Sequence, residues 1–147
     1  MNLHKDKKFI NLVKNQRFAV IATNDKDEPY TNLVSFMISE DLKKIFFPTS
    51  KNTKKFQNIS KNSKISILID NRGNNPEDIK NAIVVTAVGT SSQIIDEKII
   101  YNFLKKHPYL KDFIKSKDCA MIKIDIEKYV IVDNFENVNI INFSVEK

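Results

Sequence analysis

Thr53, Lys54 and Lys55 stand side by side in FFPTSKNTKKFQNI, residues 46–59, where a strand-like segment hands over to a helix-like one. With Lys51 close by, they crowd positive charge at a helix start, an end that already carries partial positive charge and unsatisfied N–H groups. Lysines placed there are either solvated surface or the walls of an anion site, where N–H groups, a hydroxyl and ammonium groups converge. A second candidate is Asp70, Asn71 and Arg72: the run DNR ends a strand-like segment, and Arg72 is one of two arginines among 24 basic residues. Its guanidinium could hold an anion bidentately, while Asp and Asn closing a turn beside an exposed arginine is an equal reading. Tyr30, His107 and Tyr129 are candidates for proton transfer only in being ionisable or able to donate a hydrogen bond.

Much other chemistry is excluded. His4 and His107 are the only histidines and fall in no metal-ligand pattern, and Cys119 is the only cysteine, so neither a disulfide nor a cysteine-based zinc site can form. In the apolar run DCAMIKI, Cys119 reads as a buried structural thiol. Gly73 and Gly89 are the only glycines, which rules out a glycine-rich nucleotide loop. The net charge of +6 is spread along the chain as lysine rather than gathered as arginine on one face, which argues against nucleic-acid binding. No apolar run reaches membrane-spanning length, and a cytoplasmic protein is expected.

These residues need elements to hold them. At 147 residues the chain suits a single domain, with no repeat, low-complexity tract or linker. Leu3, Phe9, Ile10, Leu12 and Val13 predict an amphipathic helix over 3–16. RFAVIATN and YTNLVSFMIS read as an antiparallel pair joined across DKDEP, and IFFPTS as a third strand that Pro48 ends. A short helix follows from Thr53 to about Ser60, with Phe56 and Ile59 on one side. KISILIDN is a strand, RGNNPEDIK a loop, and NAIVVTAVGTSSQII a long strand for the middle of the sheet. From Asp96, a plausible cap, the period turns helical until Pro108, with a shorter helix through Phe113 and Ile114. CAMIKIDIEKYVIVDNFENVNIINFSV completes the chain as strands separated at EK and ENVN. The sum is a mainly β fold with flanking helices: an antiparallel barrel of six to seven strands whose openings the helices cover.

The ordered series FAVIATNDKDEPYTNLVSF, KKIFFPTS, NTKKFQNI and KISILIDNR, with VTAVGTSSQI and HPYL further on, resembles the pyridoxamine 5'-phosphate oxidase-like family of FMN-binding split barrels, from about Phe18 to Phe143. The resemblance implies that FMN is the cofactor, with its phosphate at Thr53, Lys54 and Lys55. It implies that the isoalloxazine ring runs along Asn32, Leu33, Val34 and Ser35 on one strand and Pro48, Thr49 and Ser50 on the next, touched mostly by main chain. Asp70, Asn71 and Arg72 would lie near the cofactor. Two departures separate the chain from vitamin B6 oxidases proper. Asn32 and Met37 occupy places where those enzymes carry basic residues, and no arginine occurs after Lys80.

The implied function is that of an FMN-dependent oxidoreductase acting on a small molecule, with a nicotinamide cofactor as a possible electron donor. The alternative is a non-catalytic FMN-binding electron-transfer or sensing module. Deazaflavin or haem are other cofactors of the same superfamily, haem being disfavoured because axial ligation usually needs a suitably placed histidine. The family resemblance also implies a homodimer with the flavin at the subunit interface.

Overall fold

The computed structural model describes residues 3–143. After a single 3-10 turn at Leu3–Lys5 comes α1 (Lys7–Asn15), then β1 (Phe18–Asp25), β2 (Glu28–Ser35), β3 (Met37–Ile38) and β4 (Lys44–Ser50). The chain continues through α2 (Lys54–Lys61), β5 (Lys64–Asp70), α3 (Asp78–Asn81) and β6 (Ile83–Ile94). It ends with α4 (Glu97–Lys106), a 3-10 turn at Pro108–Leu110, α5 (Lys111–Lys115), β7 (Cys119–Asp133) and β8 (Asn137–Asn142).

All pairings are antiparallel, and the strand order is β2-β1-β5-β6-β7-β4-β3, with β8 added alongside β7. β2 and β3 are successive parts of one chain path, interrupted only at Phe36. The path pairs with β1 before the break and with β4 after it. The two ends of the sheet are therefore the same bent strand, and the sheet curls into a split barrel.

Register shows where the barrel is split. Met37 faces Phe46 and Ile38 faces Ile45. Continued backwards, that register would set Ser35, Val34 and Leu33 opposite Pro48, Thr49 and Ser50, but no ladder forms there. Pro48 has no N–H to give, which is one physical reason the seam stays open. Pro48 does not end its strand as the sequence suggests. It lies inside β4, paired with Met121 of β7 on the other side.

The barrel interior is filled by alternating apolar residues, including Ile21, Ile45, Phe47, Ile67, Ile69, Val85, Ile122 and Ile124, each almost wholly buried. α1 starts at Asp6, whose carboxylate accepts from Phe9 N at 3.0 Å, and its buried face of Phe9, Leu12 and Val13 joins this core. Tyr129 meets Phe9 edge to face at 5.1 Å, and its hydroxyl donates to Leu42 O at 2.6 Å. A second cluster lies under α4 and α5, where Phe103 and Ile114 pack on Phe46 and Met121 with Met37 beside them. Asp96 caps α4, accepting from Lys98 N and Ile99 N.

Other differences from the sequence reading are local. EK does not separate two strands: β7 runs through it, and the register with β6 shifts so that Glu127 is bulged between Ile126 and Lys128. The last turn is 134–136, and β8 begins inside ENVN; Ser144 and Val145, read as strand, lie outside the described residues. β2 starts at Glu28, earlier than expected, and the loop RGNNPEDIK contains the single helical turn α3.

Candidate functional site

The handover from β4 to α2 is built by hydroxyls. Thr53 caps α2, accepting from Phe56 N at 3.3 Å while its Oγ1 donates to Ser50 O at 2.8 Å, and Thr49 Oγ1 lies 3.0 Å from it. Farther along the helix, buried Asn58 donates to buried Thr23 at 3.0 Å, pinning α2 to β1. The helix start is thus rigidly placed at the end of the open seam.

The lysines at this start are not equivalent. Lys54 Nζ lies 2.7 Å from Asp25 Oδ2, at the tip of the β1–β2 hairpin. That bond lowers the pKa of Asp25 and raises that of Lys54; Lys54 is exposed and Asp25 partly so. Lys55 is half-buried and has no carboxylate within ion-pair distance among the described residues; burial alone lowers its pKa. Phe56 N is taken by Thr53 and Thr53 N by Ser50 O, which leaves the N–H groups of Lys54 and Lys55 at the helix start; a desolvated ammonium without a counter-charge beside them is an arrangement that an anion would relieve. Lys51 is exposed and donates its backbone N–H to Asp118 O.

On the facing strand, Asn32 Oδ1 is buried and makes no hydrogen bond among the described residues. Buried polar atoms are nearly always paired, so this orphan marks a place where a donor belongs. Asn32, Leu33, Val34 and Ser35 border one side of the seam, and Pro48, Thr49 and Ser50 the other, with β2 and β4 in contact across it. Thr49 and Val34 are buried, whereas Leu33 is 70% exposed.

Asp70, Asn71 and Arg72 are not brought to this cluster within one chain. Val20 pairs with Leu68 and Ala22 with Ser66, so β5 runs from the Asp25 end of β1 towards and past Val20, leaving Asp70 at the far end. Seven strand residues span roughly 20 Å. There Arg72 Nε lies 3.3 Å from Asp70 Oδ1, and Asn71 Oδ1 accepts from Ile83 N at 2.8 Å.

The ionisable candidates Tyr129 and His107 are structural. Tyr129 is buried with its hydroxyl on a backbone carbonyl, and burial raises its pKa. His107 is buried, stacks on Phe103 at 4.7 Å, and bonds through Nε2 to Phe36 O at 2.9 Å, fixing α4 to the bend of the barrel strand. Burial holds its pKa below the ordinary 6.5. Tyr30 is partly exposed on β2. Cys119 is half-buried and burial raises its pKa, consistent with an inert thiol.

Sequence reasoning missed three residues. The sequence places Asp25 only in the turn DKDEP, though an acid at a hairpin tip beside a lysine-rich helix start is a usable signal. Arg17 and Lys106 meet at a cleft of about 540 Å³ that opens beside Leu33, Val34 and Ser35. Arg17 Nη1 donates to Lys106 O at 2.8 Å. Nothing local marks that meeting, because it depends on how α4 docks.

Among the described residues, no helix is long and apolar enough to cross a membrane and no cluster of potential metal ligands occurs. No curated protein matches the chain in sequence. Solved structures do resemble it. ChuZ of Campylobacter jejuni superposes with a TM-score of 0.80 at 18% identity over 97% of this chain, which spans 61% of that protein. General Stress Protein 26 of Bacillus anthracis str. Sterne gives 0.75 at 18% identity, over 95% of this chain and 99% of its own. A heme binding protein from Mycobacterium smegmatis gives 0.75 at 13% identity, over 86% of this chain and 53% of its own. These likenesses establish the fold. The sequence model of the pyridoxamine 5'-phosphate oxidase family matches residues 6–137, nearly the whole chain, and the chain therefore belongs to that family.

Proposed function

We propose that this chain binds FMN along the barrel seam and is an FMN-dependent oxidoreductase. The observation that carries the reading is the coincidence of an unpaired, half-buried Lys55 at the start of α2 with an open strand seam leading away from it. Thr53, Lys55 and the N–H groups of α2 would hold the phosphate, with Lys54 released from Asp25 to join them. Asn32 Oδ1 and the main-chain edges of Leu33–Ser35 and Pro48–Ser50 along the open seam would meet the ring. When bound, FMN supplies one- and two-electron chemistry, including hydride exchange at N5. The chain's own residues bind, orient and shield. Asp70, Asn71 and Arg72 serve this site only if a second chain presents them, as in a homodimer with the flavin at its interface. Val138 and Ile140, exposed on β8, offer apolar surface for such an assembly.

The test is the absorbance spectrum of the purified protein, with the flavin released by heat and identified. FMN in the protein, or uptake of added FMN, supports the reading; a colourless protein that takes up none, or one with a haem Soret band, overturns it. A non-catalytic carrier is the second reading, favoured by the burial and backbone bonding of Tyr129 and His107. Steady-state oxidation of NAD(P)H with an added acceptor separates the two.

A further inference from the structure

The cleft between the start of β1 and the end of α4 has apolar walls and unbalanced charge. Phe18, Leu33 and Tyr109 line it, and none of its lining residues is Asp or Glu. Two of its cations are Arg17, which is exposed, and Lys106. Lys106 is half-buried with its ammonium 4.5 Å above the Phe36 ring, and neither cation has a carboxylate within ion-pair distance among the described residues. A half-buried ammonium on which the charge of Arg17 also acts costs free energy that an anion beside both would relieve. We propose that this cleft is the substrate subsite, and that it takes a small aromatic molecule bearing one carboxylate, with the carboxylate between Arg17 and Lys106 and the ring against Phe18 and Leu33. The inference rests on the flavin reading, because cleft and seam share Leu33, Val34 and Ser35 and a molecule in the one lies beside a ring in the other.

Burial and the charge of Arg17 pull the pKa of Lys106 from the ordinary 10.5 to about 8. The other titratable groups lining the cleft are Lys105, over the Tyr101 ring, His107, bonded to Phe36, and exposed Tyr109. Carboxylate affinity should therefore fall as pH rises through about 8, where free Lys106 loses its proton.

The experiment is calorimetric titration of the FMN-supplemented protein with benzoate and 1-naphthoate, each against its uncharged amide. The acids are expected to bind about tenfold or more tighter than the amides. Arg17→Met and Lys106→Met should each remove that preference while leaving FMN affinity and amide binding unchanged. Arg17→Lys should keep much of it, and Lys106→Arg should keep it and abolish the fall near pH 8. Equal affinity for acid and amide, or no binding of either acid, overturns the proposal. So does a dimer that Tyr109→Asp converts to monomers, with neither form binding an acid, because the cleft would then belong to a second chain. Discrimination of acid from amide by a protein that takes up no FMN would instead sink the flavin reading and leave the anion site standing.

Discussion

At the scale of single residues, the lysine cluster divides into two roles. Lys54 already has a partner in Asp25, whereas Lys55 is desolvated without one. Lys55→Met is expected to weaken FMN binding about tenfold or more, and Lys54→Met by no more than about threefold, as measured by flavin fluorescence quenching. Lys54 gives up Asp25 to reach the phosphate and so gains little net; equal losses would mean that giving up Asp25 costs it nothing. The cluster itself was visible in the sequence, because TKK at a strand-to-helix junction is a local pattern. The division was not, since it depends on how the β1–β2 hairpin folds over α2. Tyr129 makes the complementary point: an ionisable side chain proved to be a core strut. Tyr129→Phe should leave FMN binding unchanged and cost about 1–2 kcal/mol in urea denaturation, from leaving Leu42 O unpaired in the core.

At the scale of elements, strands and helices were largely readable because hydrophobic period and caps are local properties. Asp96 caps α4 as its position suggested, and the long β6 lies between β5 and β7 in the sheet. The errors fall where tertiary pairing overrides local signals. EK resembles a turn, yet β6 pairs along both sides of it and the extra residue is absorbed as a bulge. Gly89 sits opposite that bulge, and a Cβ there would collide with the Asp125 carbonyl oxygen. Gly89→Ala is therefore expected to destabilise the fold by about 1–3 kcal/mol, read as a lower urea midpoint. An unchanged midpoint would show that the bulge relaxes freely. Pro48 lies inside its strand rather than at its end for a related reason: proline is tolerated in a strand whose neighbour on one side has been withdrawn, and that withdrawal is the seam.

At the scale of the whole molecule, a single bent strand both closes the barrel and splits it. Phe36, fully buried, is the point of exchange, and His107 holds the docking of α4 at the same point. An antiparallel barrel could be expected from consecutive strands with tight turns, but its closure through one strand needs the register of β2 with β1 and of β3 with β4. In the proposed function, the seam receives a flavin whose phosphate is held at the start of α2. The most direct measurement compares FMN with riboflavin, which carries the same ring without the phosphate, titrated into the same protein. FMN is expected to bind about a hundredfold or more tighter, the magnitude of two or more charge-assisted hydrogen bonds to the phosphate. Equal affinities for the two flavins would contradict a phosphate site at Thr53, Lys54 and Lys55.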